Sequence, residues 1–307
     1  MINDIPKKQN EQTQLNRLAA QRNNYSEAKL VQLFQLIITI PGTVLFSIVG
    51  LLNPSFAVWQ ALFGLFAVLV ELPLKIYQTS LKRQAAKIQE LFDCEVLQLE
   101  WNYLGIGAKP DVETIIESSD KIKRTKLNID LLKNWYSPSV GELPIHLARI
   151  ICQRTNLRWD SQLRRWYSKR ALAVSFGVIG LLFLFSLLNQ ISFVRFVLTV
   201  LTPSIPVFLW GFKEYRDHSE VAEEQERFKS YIEEFWQDAI TSKLSEHQIL
   251  IRSRELQDEI FILRRDNPLI FDQIYRYFKS KYEIYASQGA EELVKEALEN
   301  IYHGKLY

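Results

Sequence analysis

The chain is short of the residues that build most catalytic and metal sites. Its 307 residues include two cysteines and four histidines. Cys94 and Cys152 show neither CxxC nor CxxxC spacing, which argues against a disulfide scaffold or a thiolate zinc site and favours a reducing compartment. His146, His218, His247 and His303 share no ligand spacing, so no metal site is expected. No GxSxG, HExxH, P-loop or Rossmann fingerprint occurs, and the lone "GIG" at 105–107 is too short to cradle a phosphate. The chain is therefore read as not an enzyme, with no catalytic residue and no cofactor. Charge of one sign is also lacking. A net +2 gives no bulk electrostatic case for nucleic acid, and no direct DNA binding is expected. The first thirty residues are polar and lack the regions of a signal peptide, so no cleavage is expected.

What the chain has is grease in blocks. Mean hydropathy is −0.08, an average that hides four apolar runs. Residues 31–52 carry no charge, and 55–76 only Glu71 and Lys75. Residues 171–188 carry none, and 193–212 only Arg195. Each run reaches the roughly 17–25 residues that cross a hydrocarbon core of about 30 Å. The third holds twelve Leu, Ile, Val or Phe. At about −0.3 to −0.6 kcal/mol each, they favour insertion by roughly 4–7 kcal/mol. Soluble helices alternate polar and apolar faces, and these runs do not.

The runs pair into two hairpins, 31–76 and 171–212, across uncharged turns of similar sequence: "LLNPSF" at 51–56 and "LLNQISF" at 187–193. The opposite ends are cationic: Lys75, Lys82, Arg83 and Lys87; Arg164, Arg165, Lys169 and Arg170; Lys213 and Arg216. The positive-inside rule places 1–30, 77–170 and 213–307, with both termini, in the cytoplasm, and only the two turns on the far side.

Ionisable residues inside a span are functional suspects. Arg195 either reaches the outer headgroups or lines a gate. Glu71 either pairs with Lys75 at the interface or does the same. Pro41, Pro203 and Pro206 interrupt the first and fourth spans and are candidate hinges. No span holds the string of polar residues a dedicated ion path needs.

The polar segments read as mainly helical. Val221, Phe228, Tyr231, Ile232, Phe235, Trp236 and Ile240 form one stripe. "SEHQ" at 245–248 is a capping box opening the next helix, which "DNP" at 266–268 stops. Phe271, Ile274, Tyr275, Phe278, Tyr282 and Tyr285 follow at helical spacing and are expected in a bundle core, with a short helix over 290–302 after them. "CEVLQLEW" at 94–101 alternates and predicts one short strand. From Pro144 a helical pattern runs toward the third span, with Asn156 as a candidate break. The fold expected is an all-α membrane protein: four transmembrane helices in two hairpins, with a mainly helical cytosolic domain from the middle and C-terminal segments.

"LAAQRNNYSEAKL" before the first span, "ELFDCEVLQLEW" after the second, "CQRTNLRWDSQLRRWY" before the third and "RELQDEIFILRRDNP" in the tail resemble the SMODS-associating four-transmembrane effectors. The resemblance covers nearly the whole chain. It implies a bacterial inner-membrane effector of a CBASS-like anti-phage system, in which a cyclic-oligonucleotide synthase makes the signal and the effector perturbs the membrane. A receptor for such a ligand needs cations for phosphates and flat groups for bases. Arg154, Arg158, Trp159, Arg164, Arg252 and Arg254 are the candidates, although a basic, aromatic juxtamembrane helix also suits a lipid anchor. Four helices are too thin to enclose a sizeable pore, so a homo-oligomer in the lipid bilayer is expected. A membrane-anchored scaffold or sensor, or a small channel, remains the alternative.

Overall fold

The computed structural model describes residues 2–124, 129–157 and 161–302. Among the described residues the fold is all-α, with no strand and four helices long and apolar enough to cross a membrane.

The four share one design. Gln12–Leu52 is a single helical run of 41 residues, and Phe193–Ile240 is one of 48. At about 1.5 Å per residue these rods are roughly 60 and 70 Å long, twice the hydrocarbon thickness. The second, Ala57–Val96, behaves alike. The apolar stretch of each rod thus runs without a break into a polar stretch that enters the body beneath the membrane. On the third rod, Ile145–Leu157 and Ser161–Leu188 are helical, with 158–160 outside the described residues.

Both turns are closed by their own side chains. Asn53 Oδ1 accepts from the Ser55 N–H at 3.0 Å, the Asx geometry that starts a turn. At the other tip Asn189 Nδ2 donates back to the Phe185 carbonyl at 2.8 Å, and Gln190 takes a positive φ of 45°.

Within each hairpin the rods meet at a glycine. A Cβ on Gly211 would overlap Ser175 Oγ, and that hydroxyl donates to the Val207 carbonyl at 3.1 Å. Small residues set the spacing, as between membrane helices generally. In the first hairpin Gly42 lies against the Phe63 ring, which stacks on Phe46 at 4.2 Å. Gly211→Val is expected to drive the third and fourth rods apart at a cost of about 1–3 kcal/mol. The fraction of chain eluting monodisperse after detergent extraction should fall; unchanged elution and melting temperature would refute the close-approach account.

Two apolar clusters result. A small one at the tips joins Leu51, Leu182 and Val200. A large one fills the body, from Leu18 and Phe92 through Tyr136 and Ile150 to Trp236 and Ile260. Helices Val112–Arg124, Ile145–Leu157, Glu246–Asp266 and Asp272–Tyr302 build this body around the polar stretches of the rods. Ser245 caps Glu246–Asp266 in the full capping box with Gln248, as its sequence predicts.

Three expectations are corrected. The segment 94–101 is no strand: the second rod continues to Val96, then reverses through Gln98 at φ 55°. The Leu99 N–H returns to the Cys94 carbonyl at 2.8 Å, closing a Schellman turn, and buried Arg149 donates to the carbonyls of Leu97 and Gln98. What read as alternation is a buried helix end followed by a loop that buries Leu99 and Trp101 and exposes Gln98 and Glu100. Of the aromatic stripe near 271–285, Tyr275 and Tyr285 are exposed rather than core, Phe271 and Ile274 are half-buried, and the side chains of Phe278 and Tyr282 lie outside the described residues; further along that helix Ala290, Val294 and Ala297 are buried. Finally, 290–302 is not a separate helix but the end of Asp272–Tyr302.

Candidate functional site

Two polar constellations stand where apolar packing would be cheaper, one in the body and one between the hairpins.

In the body, the second rod turns Glu90 and Asp93 inward together with Ala86 and Leu97, a spacing that puts all four on one face. Both carboxylates are fully buried. The helix Glu246–Asp266 answers with arginines. Arg254 donates to Glu90 Oε1 and to Asp258 Oδ1, both at 2.8 Å, and to the Glu100 carbonyl at 2.7 Å. Arg264 pairs with Asp93. Gln257 Nε2 donates to Glu90 at 2.8 Å and to Asp93 at 3.0 Å, and the Tyr136 hydroxyl donates to Asp93 at 2.6 Å. Burial pushes the Glu90 carboxyl up, while the Arg254 guanidinium holds it down. Burial, and then the Asp93 charge, push the Tyr136 hydroxyl well up. A buried charge is tolerated only when paired and hydrogen-bonded, and here both are.

Between the hairpins, helical regularity fails twice. Ile38–Gly42 and Val197–Leu201 are π-helical; Pro41 lies in the first and Pro203 just beyond the second. Proline lacks the N–H that an α-helix would return four residues back. Pro203 therefore leaves the Thr199 carbonyl without that donor. Gln60, buried on the second rod, supplies one: its Nε2 donates to the Thr199 carbonyl at 3.1 Å. The second link is at the tips. The first rod ends at Leu52, so its last carbonyls lack intrahelical partners and carry partial negative charge. Arg195 of the fourth rod donates to the carbonyls of Gly50 (3.3 Å) and Leu51. A glutamine and an arginine thus tie one hairpin to the other through backbone carbonyls.

The residues singled out by sequence do not converge. Arg154 donates to Glu233 at 2.5 Å, half-buried against the fourth rod. Arg164 is buried, donating to His218 Nδ1 at 3.1 Å and the Pro268 carbonyl at 2.9 Å. Those two contacts lie fifteen residues, about 22 Å, apart on the fourth rod. Arg252 faces Asp238 at 3.5 Å and lies over the Phe235 ring. Arg254 belongs to the buried carboxylates. Arg158 and Trp159 lie outside the described residues. Glu71 accepts from Gln35 Nε2 at 3.1 Å, joining the first two rods. Pro206 sits inside the helical part of the fourth rod. Sequence reasoning missed Glu90, Asp93 and Gln60. The first two were signalled by acids in the apolar register of a helix, and Gln60 by an amide inside a span.

A model of the SMODS-associating 4TM effector domain matches residues 3–293. A probable CBASS effector molecule of Bacillus cereus (strain VD146) is 26% identical over 273 residues, which cover 87% of this chain and 90% of that relative. No solved structure matches.

Proposed function

From the premise that this chain belongs to the SMODS-associating 4TM effector family, we propose that it is the membrane-acting arm of a CBASS anti-phage response. In this reading it sits in the bacterial inner membrane with its body and both termini in the cytoplasm. A synthase makes a cyclic oligonucleotide on infection, the body responds to that signal, and copies of the chain associate and breach the bilayer. The chain acts by changing shape and catalyses nothing.

The observation that carries the reading is the continuity of the rods. The first, second and fourth rods pass from membrane to body with no linker, so a rearrangement of the body must move the spans. The weak points are the two π segments, and π segments recur at functional sites. The links through Gln60 and Arg195 would hold the resting state, and their release would let the hairpins part. A nucleotide reaching Arg154 or Arg252 would compete with Glu233 or Asp238 for the guanidinium, which gives the signal a way to loosen the body.

The test is dye release from liposomes holding the purified chain. A cyclic di- or trinucleotide is expected to trigger release that a linear dinucleotide does not. The proposal fails if no cyclic nucleotide releases dye at protein densities where an established pore-former does. Tags at Asn53 and Asn189 should both face away from the body; finding them in the cytoplasm would overturn the topology.

A further inference from the structure

Between the helices Glu246–Asp266 and Asp272–Tyr302 runs a short connector, "NPLIF" at 267–271. Pro268 lacks the N–H that a continuing helix would return to the Arg264 carbonyl. The Tyr25 hydroxyl, on the first rod, donates to that carbonyl at 3.2 Å. Lys29 and Gln32 follow Tyr25 on the same face of the rod. Lys29 pairs with Asp272 and lies over the Tyr275 ring, and Gln32 Nε2 donates to the Leu269 carbonyl at 3.2 Å. From the second rod, Lys82 donates to the Asp266 carbonyl at 3.2 Å. From the third, Arg164 donates to the Pro268 carbonyl at 2.9 Å, and the same Nη1 reaches His218 Nδ1 on the fourth at 3.1 Å. Each of these anchors lies within seven residues of the body end of an apolar run, about 10 Å along its rod.

We propose that this connector is a strap that holds the two hairpins together where the spans enter the body. Four of its five contacts to the first three rods end on carbonyls of residues 264–269, and the fifth on Asp272. Covalent geometry fixes those groups relative to one another. A shift of the strap therefore strains its contacts to several rods at once. Gln60 and Arg195 join the hairpins toward the tips, and the strap joins them at the opposite end of the spans. It is also continuous with the helix whose Arg254 and Arg264 grip Glu90 and Asp93, so displacing that helix pulls on the rods through one segment. That loosening the strap breaches the bilayer rests on the effector reading above. That the strap sets the spacing of the rods does not.

Spin labels on the full chain in nanodiscs read that spacing by double electron–electron resonance. Phe34→Cys in the first span and Val174→Cys in the third carry them, at sites 49% and 50% exposed, while Cys94 and Cys152 are buried. Dilution with unlabelled chain restricts the signal to distances within one molecule. The labelled parent is expected to give one narrow distance. Tyr25→Phe/Lys29→Glu/Gln32→Leu, which cuts the first rod from the strap, should raise the ratio of longer to native distances at least about tenfold. Adding Asp272→Lys restores an opposite-charge pair and should recover much of the narrow peak, a rescue that a misfolded chain would not give. A broad parent distribution, an unchanged one in the triple variant, or a broadened one that Asp272→Lys does not narrow would each overturn the strap. Dye release from liposomes holding the same variants tests the effector reading separately. Longer distances with basal release equal to the parent's would keep the strap and refute the view that parted spans breach the bilayer.

Discussion

Asp93→Ala is expected to lower the stability of the body by about 3–5 kcal/mol, the cost of stranding a buried partner charge. Three side chains point donors at this one carboxylate, from Arg264, Gln257 and Tyr136. Arg264 itself is nearly enclosed, and pairing with Asp93 raises its affinity for a proton against the opposing effect of burial. Removing the acid leaves that guanidinium without its paired carboxylate in a largely buried site. An exposed pair gives the contrast. Lys133→Ala removes a surface contact to Asp130 and should cost about 1 kcal/mol or less. Thermal unfolding of the detergent-solubilised chain reads both. A loss under 1 kcal/mol for Asp93→Ala would mean that the buried charges do not hold the second rod to the C-terminal helices.

Gln60→Leu combined with Arg195→Ala is expected to make the chain leaky without any signal. The variant deletes the donor to the Thr199 carbonyl and the donors to the end of the first rod. Hydrogen bonds between membrane helices average about 0.6 kcal/mol and reach about 1.7. Losing both links should therefore shift the balance between resting and parted hairpins by about 2 kcal/mol, roughly 30-fold. Liposomes carrying the variant should release dye at a raised basal rate. Release equal to the parent at matched protein density would show that these links do not hold a closed state.

Much of the architecture was legible because its physics is local. Spans follow from uncharged length, hairpins from two short turns, and the Ser245 cap from a four-residue pattern. What stayed hidden depends on partners far along the chain. Glu90 and Asp93 stand out as acids in an apolar register, but nothing local names Arg254 and Arg264, some 160–170 residues away, as their partners. The same holds for Gln60 and Thr199, 139 residues apart. The candidate arginines were chosen for clustering in sequence, yet a helix spreads neighbouring residues around its circumference and along its length. Arg154 and Arg164 accordingly face different parts of the fourth rod. The segment 94–101 misled for a related reason: a Schellman turn followed by a loop that buries every second side chain alternates apolar and polar residues much as an edge strand does.

The unbroken rods also constrain how such a protein can be re-engineered or recombined. With no linker between span and body, the azimuth of every body residue is set by the number of residues that precede it on the rod. One residue inserted after Ile76 would turn the rest of the second rod by about 100° and swing Glu90 and Asp93 away from their arginines, whereas a full heptad would nearly restore the phase. Chimaeras that join the spans of one relative to the body of another should therefore tolerate only junctions that conserve helical phase, whatever the similarity of the pieces.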